Sequence, residues 1–342
     1  MRRRGFLIDA FGALGAIALA APLGGLAGCA SHADPPPRPK PPLPPLKVGP
    51  LDELIALAGL RWVLLVKPRA IASIAWLIPS IGKIVPEENF ARFAARTGLD
   101  LRSLPEAAVA TYDTGDMLYL ARHAGDPAAV EGWFRSRLTS DERRSMDRPD
   151  LIRLTGKIGL TPHALALLGR TAVAYQHGGS LTKGPARVAA LFAQGKLKRS
   201  PSVLSAEPLR SLAARFGDAP LRAFARGPFE GELARGARGL LAGATAIGAA
   251  ARPTAREKIG ISIAVAGDFT TSAEPAAEEL LTAWNDLANG SFGHLLGLDR
   301  PIQAPLATHT EGAVAVAVEL DPQTIASGLA AATGPTIDEI LR

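Results

Sequence analysis

Two similar ferredoxin-like α+β units, each a βαββαβ arrangement with an antiparallel sheet and helices on one face, are the fold this chain predicts. Three observations carry that prediction. Short β-rich apolar runs alternate with segments whose apolar residues recur at helical spacing. The order strand, helix, hairpin, helix, strand and trailing helix occurs in residues 51–200 and again in 201–342. The helix starts Asp126-Pro127-Ala128-Ala129 and Glu274-Pro275-Ala276-Ala277 occupy matching places in the two halves.

In the first half, residues 61–67 read as a buried strand that Pro68 ends. Helical material follows through Ile74 and Trp76. A second helix spans about 86–97, with Phe90, Phe93, Ala94 and Thr97 on one face and Gly98 as its stop. Ala107–Tyr112 and Met117–Arg122 form a hairpin turned by Asp113-Thr114-Gly115-Asp116. Asp126 caps a helix with Pro127 in its first turn and Val130, Trp133, Phe134 and Leu138 on its apolar stripe. Asp141-Glu142-Arg143-Arg144 reads as an exposed charged loop. Residues 151–154, 164–168 and 171–176 are further strands, a helix near 185–194 closes the unit, and 196–208 connects the halves.

The second half follows the same course. Leu221–Arg226 is a strand, 230–241 a helix, and 244–252 and 258–268 strands around a turn containing Pro253. A helix over about 273–289 carries Ala277, Leu280, Leu281, Trp284 and Leu287 on one face. Val314, Val316 and Val318 alternate with alanines along the strand Ala313–Leu320, and Asp321-Pro322 starts a last helix.

Ahead of these units stand two segments of different character. Arg2, Arg3 and Arg4 precede an apolar run over 5–28 broken only by Asp9, the pattern of a secretory signal peptide. The run closes on Leu26-Ala27-Gly28-Cys29, and Cys29 is the only cysteine. These four residues resemble the lipobox of bacterial lipoproteins. The resemblance implies diacylglyceryl transfer to the Cys29 thiol, cleavage before Cys29, and acylation of the new amino terminus. Ala30 in the next position implies sorting to the outer membrane of a host that has one. Arg3-Arg4-Gly5-Phe6-Leu7 resembles a twin-arginine export signal, although Arg2 stands where Ser or Thr is usual. An uncleaved membrane helix over 5–28 is the alternative, weakened by Pro22 and four nearby glycines. Residues 29–50 then read as a tether. The prolines from Pro35 to Pro45 deny backbone donors to helix or sheet, so 34–50 form an extended spacer of roughly 40 Å.

Composition excludes several function classes. The chain carries a net charge of +6, which falls to about +4 once Arg2, Arg3, Arg4 and Asp9 leave. The basic residues are scattered, without the aromatic interleaving of a nucleic-acid groove. Acylated Cys29 leaves no thiol for a disulfide, a thiolate metal site or a nucleophile. None of His32, His123, His163, His177, His294 and His309 stands three or four residues from another, so no metal or cofactor is expected.

The chemical motifs are thin. His177-Gly178-Gly179-Ser180 has the look of oxyanion-hole glycines, but no Gly-x-Ser-x-Gly nucleophile turn accompanies it. Asp113-Thr114-Gly115 occurs once, where aspartic protease chemistry needs two such triplets. His177, Ser180 and His163 are therefore the candidate catalytic residues of a fold-assembled extracytoplasmic hydrolase, one alternative function. A second alternative is a carrier holding an apolar ligand or lipid between sheet and helices. The leading expectation is a non-catalytic envelope lipoprotein, held to the membrane through Cys29, that binds another envelope protein or a small ligand. In composition the body resembles uncharacterised envelope lipoproteins of high-GC bacteria.

Overall fold

The computed structural model describes residue 46 and residues 48–341, apart from 236, 270, 271 and 311; for 232, 233 and 333–341 it describes the backbone alone. The expected signal peptide, the lipobox-like residues ending at Cys29 and most of the expected tether lie outside the described residues. In chain order the first half contains β1 (Leu60–Val66), α1 (Pro68–Ala72), α2 (Ile78–Ile84), α3 (Glu87–Thr97), β2 (Ala107–Tyr112), β3 (Met117–Arg122) and α4 (Pro127–Arg137). It continues with β4 (Ser140–Arg148), β5 (Leu151–Ile158), β6 (Thr161–Leu168), β7 (Ala172–His177) and α5 (Pro185–Ala193). The second half contains α6 (Leu209–Phe216), β8 (Leu221–Arg226), α7 (Gly231–Arg235), β9 (Ala244–Pro253) and β10 (Ile259–Gly267). It ends with α8 (Ala273–Ala288), α9 (Ser291–Leu296), β11 (Gln303–Thr310), β12 (Ala313–Leu320) and α10 (Pro322–Leu341).

All twelve strands join one antiparallel sheet, in the order β11-β12-β10-β9-β8-β1-β2-β3-β7-β6-β5-β4. This differs from the expected pair of ferredoxin-like sheets. A split βαβ unit places its first two strands parallel with another strand between them. Here α1–α3 return the chain so that β2 lies directly against β1 and antiparallel to it, and β3 follows as the next neighbour. The repeated order of elements survives in another form. In each half three strands run outward from the centre, a helix follows the third, and a later strand docks beside that third strand: β7 on β3 and β12 on β10. The halves meet where β1 pairs with β8, Val63 lying opposite Phe224.

Helices cover both faces rather than one. On one face α5, α6 and a 3₁₀ turn at Leu51–Leu54 bury Ile55, Val63, Leu212, Phe216 and Phe224 in a core that runs through both halves. The Phe216 and Phe224 rings lie 5.9 Å apart. Gly248 on β9 makes room for them, since a Cβ there would come within 2.5 Å of the Phe216 ring. On the other face α4 sets Val130 and Phe134 against Leu154, Leu165 and Leu167. Farther along that face α8 sets Leu280 and Trp284 against Val265, Val314 and Val316.

Local signals read from the sequence reappear as structure. Asp126 accepts a hydrogen bond from the Ala128 N–H at 2.9 Å, and Gly98 ends α3 in the left-handed conformation. Two expectations are corrected. The tether does not run free to Pro50: the Leu46 N–H donates to Asp150 Oδ2 at 2.5 Å, and Leu46 and Val48 pack on the core. The charged run at 141–144 is no loop but part of edge strand β4. Charge on an edge strand discourages pairing with another chain, so the same residues suit either setting and periodicity does not separate them.

Among the described residues no helix is long and apolar enough to cross a membrane. Phe134 is fully buried whereas Leu160 is 96% exposed at the β5–β6 turn. Phe134→Ala is expected to lower unfolding free energy by about 3–5 kcal/mol in denaturant titration, and Leu160→Ser to change it by less than about 0.5 kcal/mol.

Candidate functional site

The residues singled out from the sequence gather at one end of the first half, where the β2–β3 turn, the start of β6 and the loop after β7 meet. Cross-strand pairing sets His177 beside both Met117 and His163. His163 Nδ1 and the Tyr175 hydroxyl are 2.7 Å apart, a hydrogen bond. The two rings are stacked with centroids 5.7 Å apart, and the His177 ring stands edge-on to His163 at 5.0 Å. Burial, helped by the nearby His177 and Arg137, holds His163 down to about 4. Burial likewise pushes the Tyr175 hydroxyl up to about 12. Both groups are thus neutral around pH 7, and Trp133 and Phe134 close edge-on around Tyr175.

Ser180 does not join them. Its Oγ accepts from the Lys183 N–H at 3.1 Å and shares a hydrogen bond with Thr182 Oγ1 at 3.3 Å. It makes no hydrogen bond to a histidine among the described residues. Activation of a serine by histidine needs that contact, so the expected hydroxyl–imidazole pair is not assembled.

Close packing accounts for the glycines between His177 and Ser180. Gly178 and Gly179 have φ of +85° and +64°, and a Cβ on Gly179 would collide with the Asp116 carboxylate. Asp116 comes from the β2–β3 turn, accepts from Thr114 Oγ1 at 2.8 Å through Oδ2, and is buried. Its Oδ1 has no hydrogen-bond partner among the described residues. Gln176, also buried, holds the loop from below: Nε2 donates to the Gly178 and Ser180 carbonyls, and Oε1 accepts from the Ala186 N–H. The triplet at 113–115 is the hairpin turn itself, closed by Gly115 N–H to Tyr112 O at 2.9 Å.

The same loop forms one wall of a cleft on the opposite face of the sheet. Its floor is the β4–β5 ladder, in which Arg143 faces Thr155 and Ser145 faces Arg153. These four side chains share one face because side chains alternate along a strand. Arg187 enters from the first turn of α5, Leu181 and Thr182 from the loop, and the cleft encloses about 570 Å³. Asp147 lies between two guanidiniums, with Oδ2 3.2 Å from Arg187 Nη1 and 3.7 Å from Arg153 Nε. Arg153 is 17% exposed, and its Nη2 donates to Ser145 Oγ at 3.1 Å. Its Nε is buried without a hydrogen-bond partner among the described residues. Burial lowers the Arg153 pKa, Arg187 lowers it further, and Asp147 opposes both. Asp141, at the far end, pairs with Lys157 at 2.7 Å. Sequence reading missed this cleft. The available signal was the period-two spacing of Asp141, Arg143, Ser145 and Asp147 against Arg153, Thr155 and Lys157, with Ile152 and Leu154 turned the other way.

Among the described residues no group of three or more His, Cys, Asp or Glu could hold a metal ion. No protein-family model and no curated protein matches the chain. Among solved structures, "Structure of crystal form IV of TP0453" aligns with a TM-score of 0.47 and 10% identity. That alignment covers 82% of this chain and 96% of the other.

Two measurements test the packing around these residues. Gly179→Ala is expected to destabilise by about 2 kcal/mol or more, from left-handed strain and the collision with Asp116. In an Asp116→Ala background the same change is expected to cost less, giving a coupling of at least about 0.5 kcal/mol in a double-mutant cycle. For His163 the folded pKa lies below the unfolded value, so lowering the pH favours the unfolded chain, which binds the proton more readily. Stability is expected to fall between about pH 6.5 and about 4. His163→Asn is expected to flatten that part of the wild-type pH profile, read by thermal melts across the window.

Proposed function

We propose that the protein is a lipid-anchored module of the cell envelope that binds rather than transforms its ligand. The globule recruits its ligand or a partner envelope protein while acylated Cys29 and the proline-rich segment hold it near the bilayer. The observation that carries the binding role is the engagement of the Ser180 hydroxyl with Thr182 and the Lys183 N–H, away from His163 and His177. A hydroxyl spent on its own loop has no base to activate it. The charged lining of the 570 Å³ cleft favours a polar ligand over the apolar cargo of a carrier.

The anchor rests on the lipobox resemblance of Leu26-Ala27-Gly28-Cys29. Several acyl chains at one terminus bury many methylenes at about 0.8 kcal/mol each, which makes attachment stable. Ala30 favours the outer membrane on the same family analogy.

Fractionation of cells making the full chain tests the anchor. The wild type is expected in the membrane fraction in processed form. Cys29→Ser is expected to remain an uncleaved precursor that no longer incorporates labelled palmitate. Identical processing, labelling and fractionation of the two would overturn the reading.

A further inference from the structure

We propose that the cleft between the β4–β5 ladder and the start of α5 is a binding site for a phosphate-type oxyanion, carried on a small molecule or on a lipid headgroup. The inference goes beyond the anchored-module reading and stands whether or not Cys29 is acylated.

Charge imbalance is the first argument. Arg143, Arg153, Arg187 and Lys157 stand around the cleft against only two carboxylates, Asp141 and Asp147, which leaves two net positive charges. A dianion neutralises them. The second argument is unfilled hydrogen-bonding capacity. No side-chain hydrogen bond or short ion pair holds Arg143 among the described residues, although it acts on Asp141 through space, and Arg153 buries Nε without a hydrogen-bond partner there, 3.7 Å from Asp147 Oδ2. Guanidinium forks match the spacing of oxyanion oxygens. Chemical variety is the third argument. Thr155 and Thr182 line the same space, so hydroxyl-bearing residues stand on floor and wall beside the guanidiniums, as an acceptor with oxygens in several directions requires. The cleft exceeds the size of phosphate alone, and Leu181 is its apolar lining residue, so the phosphate belongs to a larger ligand.

The two faces of β4 show that the imbalance is local. Toward α4, Arg144 pairs with Glu131 and Glu142 with Arg135, each at 2.7 Å. Toward α5, two guanidiniums share Asp147, and Lys157 and Arg143 both act on Asp141.

Isothermal titration calorimetry on the full chain in detergent, at fixed ionic strength, tests the site with inorganic phosphate and, separately, with dihexanoyl phosphatidic acid. Saturable one-to-one binding of at least one probe is expected. Arg143→Gln and Arg187→Gln are each expected to weaken it about tenfold or more, and Arg215→Gln on α6 to leave it unchanged. Tighter binding of inorganic phosphate assigns a soluble ligand, and tighter binding of phosphatidic acid a lipid headgroup. Arg143 is exposed and makes no short side-chain ion pair among the described residues, so its variant is expected to keep the fold, which a matching thermal melt verifies. The site is refuted if neither probe binds saturably, if Arg143→Gln and Arg187→Gln bind as the parent does, or if Arg215→Gln weakens binding equally.

Discussion

The pairing of β1 with β8 is the contact on which the architecture depends. It runs from Trp62 opposite Ala225 to Val66 opposite Leu221 and turns two half-sheets into one. Without it each half would present a long unpaired strand, an invitation to aggregation. With it, Val63 and Phe224 sit at the middle of a core that reaches from Leu151 and Leu168 in one half to Ala264 and Ala315 in the other. Only the two outer strands remain as edges, and each is poorly suited to pairing. β4 is rich in charge and mostly exposed. β11 contains Pro305, which lacks a backbone donor, and its register slips between Gln303 and Leu306.

Placing β4 at the edge has a chemical consequence. A strand inside the sheet would have both faces covered, and its arginines would face desolvation without return. At the edge, α4 supplies carboxylates to one face through Glu131, while α5 adds another cation, Arg187, to the other. Ser140–Arg148 protect the edge with balanced charge, three acids against three arginines, while the excess positive charge of the cleft comes from Arg153 and Lys157 on β5 and Arg187 on α5. The loop after β7 joins this arrangement because Gln176 and Asp116 lock it from two sides. The glycines at 178 and 179 let the chain pass close to Asp116 on its way to α5.

Legibility differed by element. Where a segment carries its own turn chemistry and apolar period, the sequence identified it to the residue: the hairpin Ala107–Tyr112 and Met117–Arg122, and the strand Ala313–Leu320. The cap at Asp126 and the stop at Gly98 were equally plain, being local hydrogen-bond and dihedral requirements. β4 and β11 were not legible, because an edge strand buries little and shows no apolar alternation. Ser180 lies in the expected loop, whereas His163 and His177 belong to strands whose expected spans, 164–168 and 171–176, stop one residue short of them. Their roles were not legible, since the partners that decide them, Tyr175, Asp116 and Gln176, act across strands or through loop packing.

By itself the sequence determined most of the interior strands and the helices with an apolar stripe, and that a proline-rich stretch precedes a large core, because these follow from side-chain periodicity and backbone restrictions within a few residues. The proposed anchor likewise rests on a linear resemblance, that of Leu26-Ala27-Gly28-Cys29 to a lipobox, which needs no fold. Tertiary structure alone decided that β2 returns beside β1, that β8 joins the halves, and that Arg143, Arg153 and Arg187 converge. Those outcomes depend on pairing between segments distant in the chain, where the free energy lies in shared burial and charge rather than in local preference.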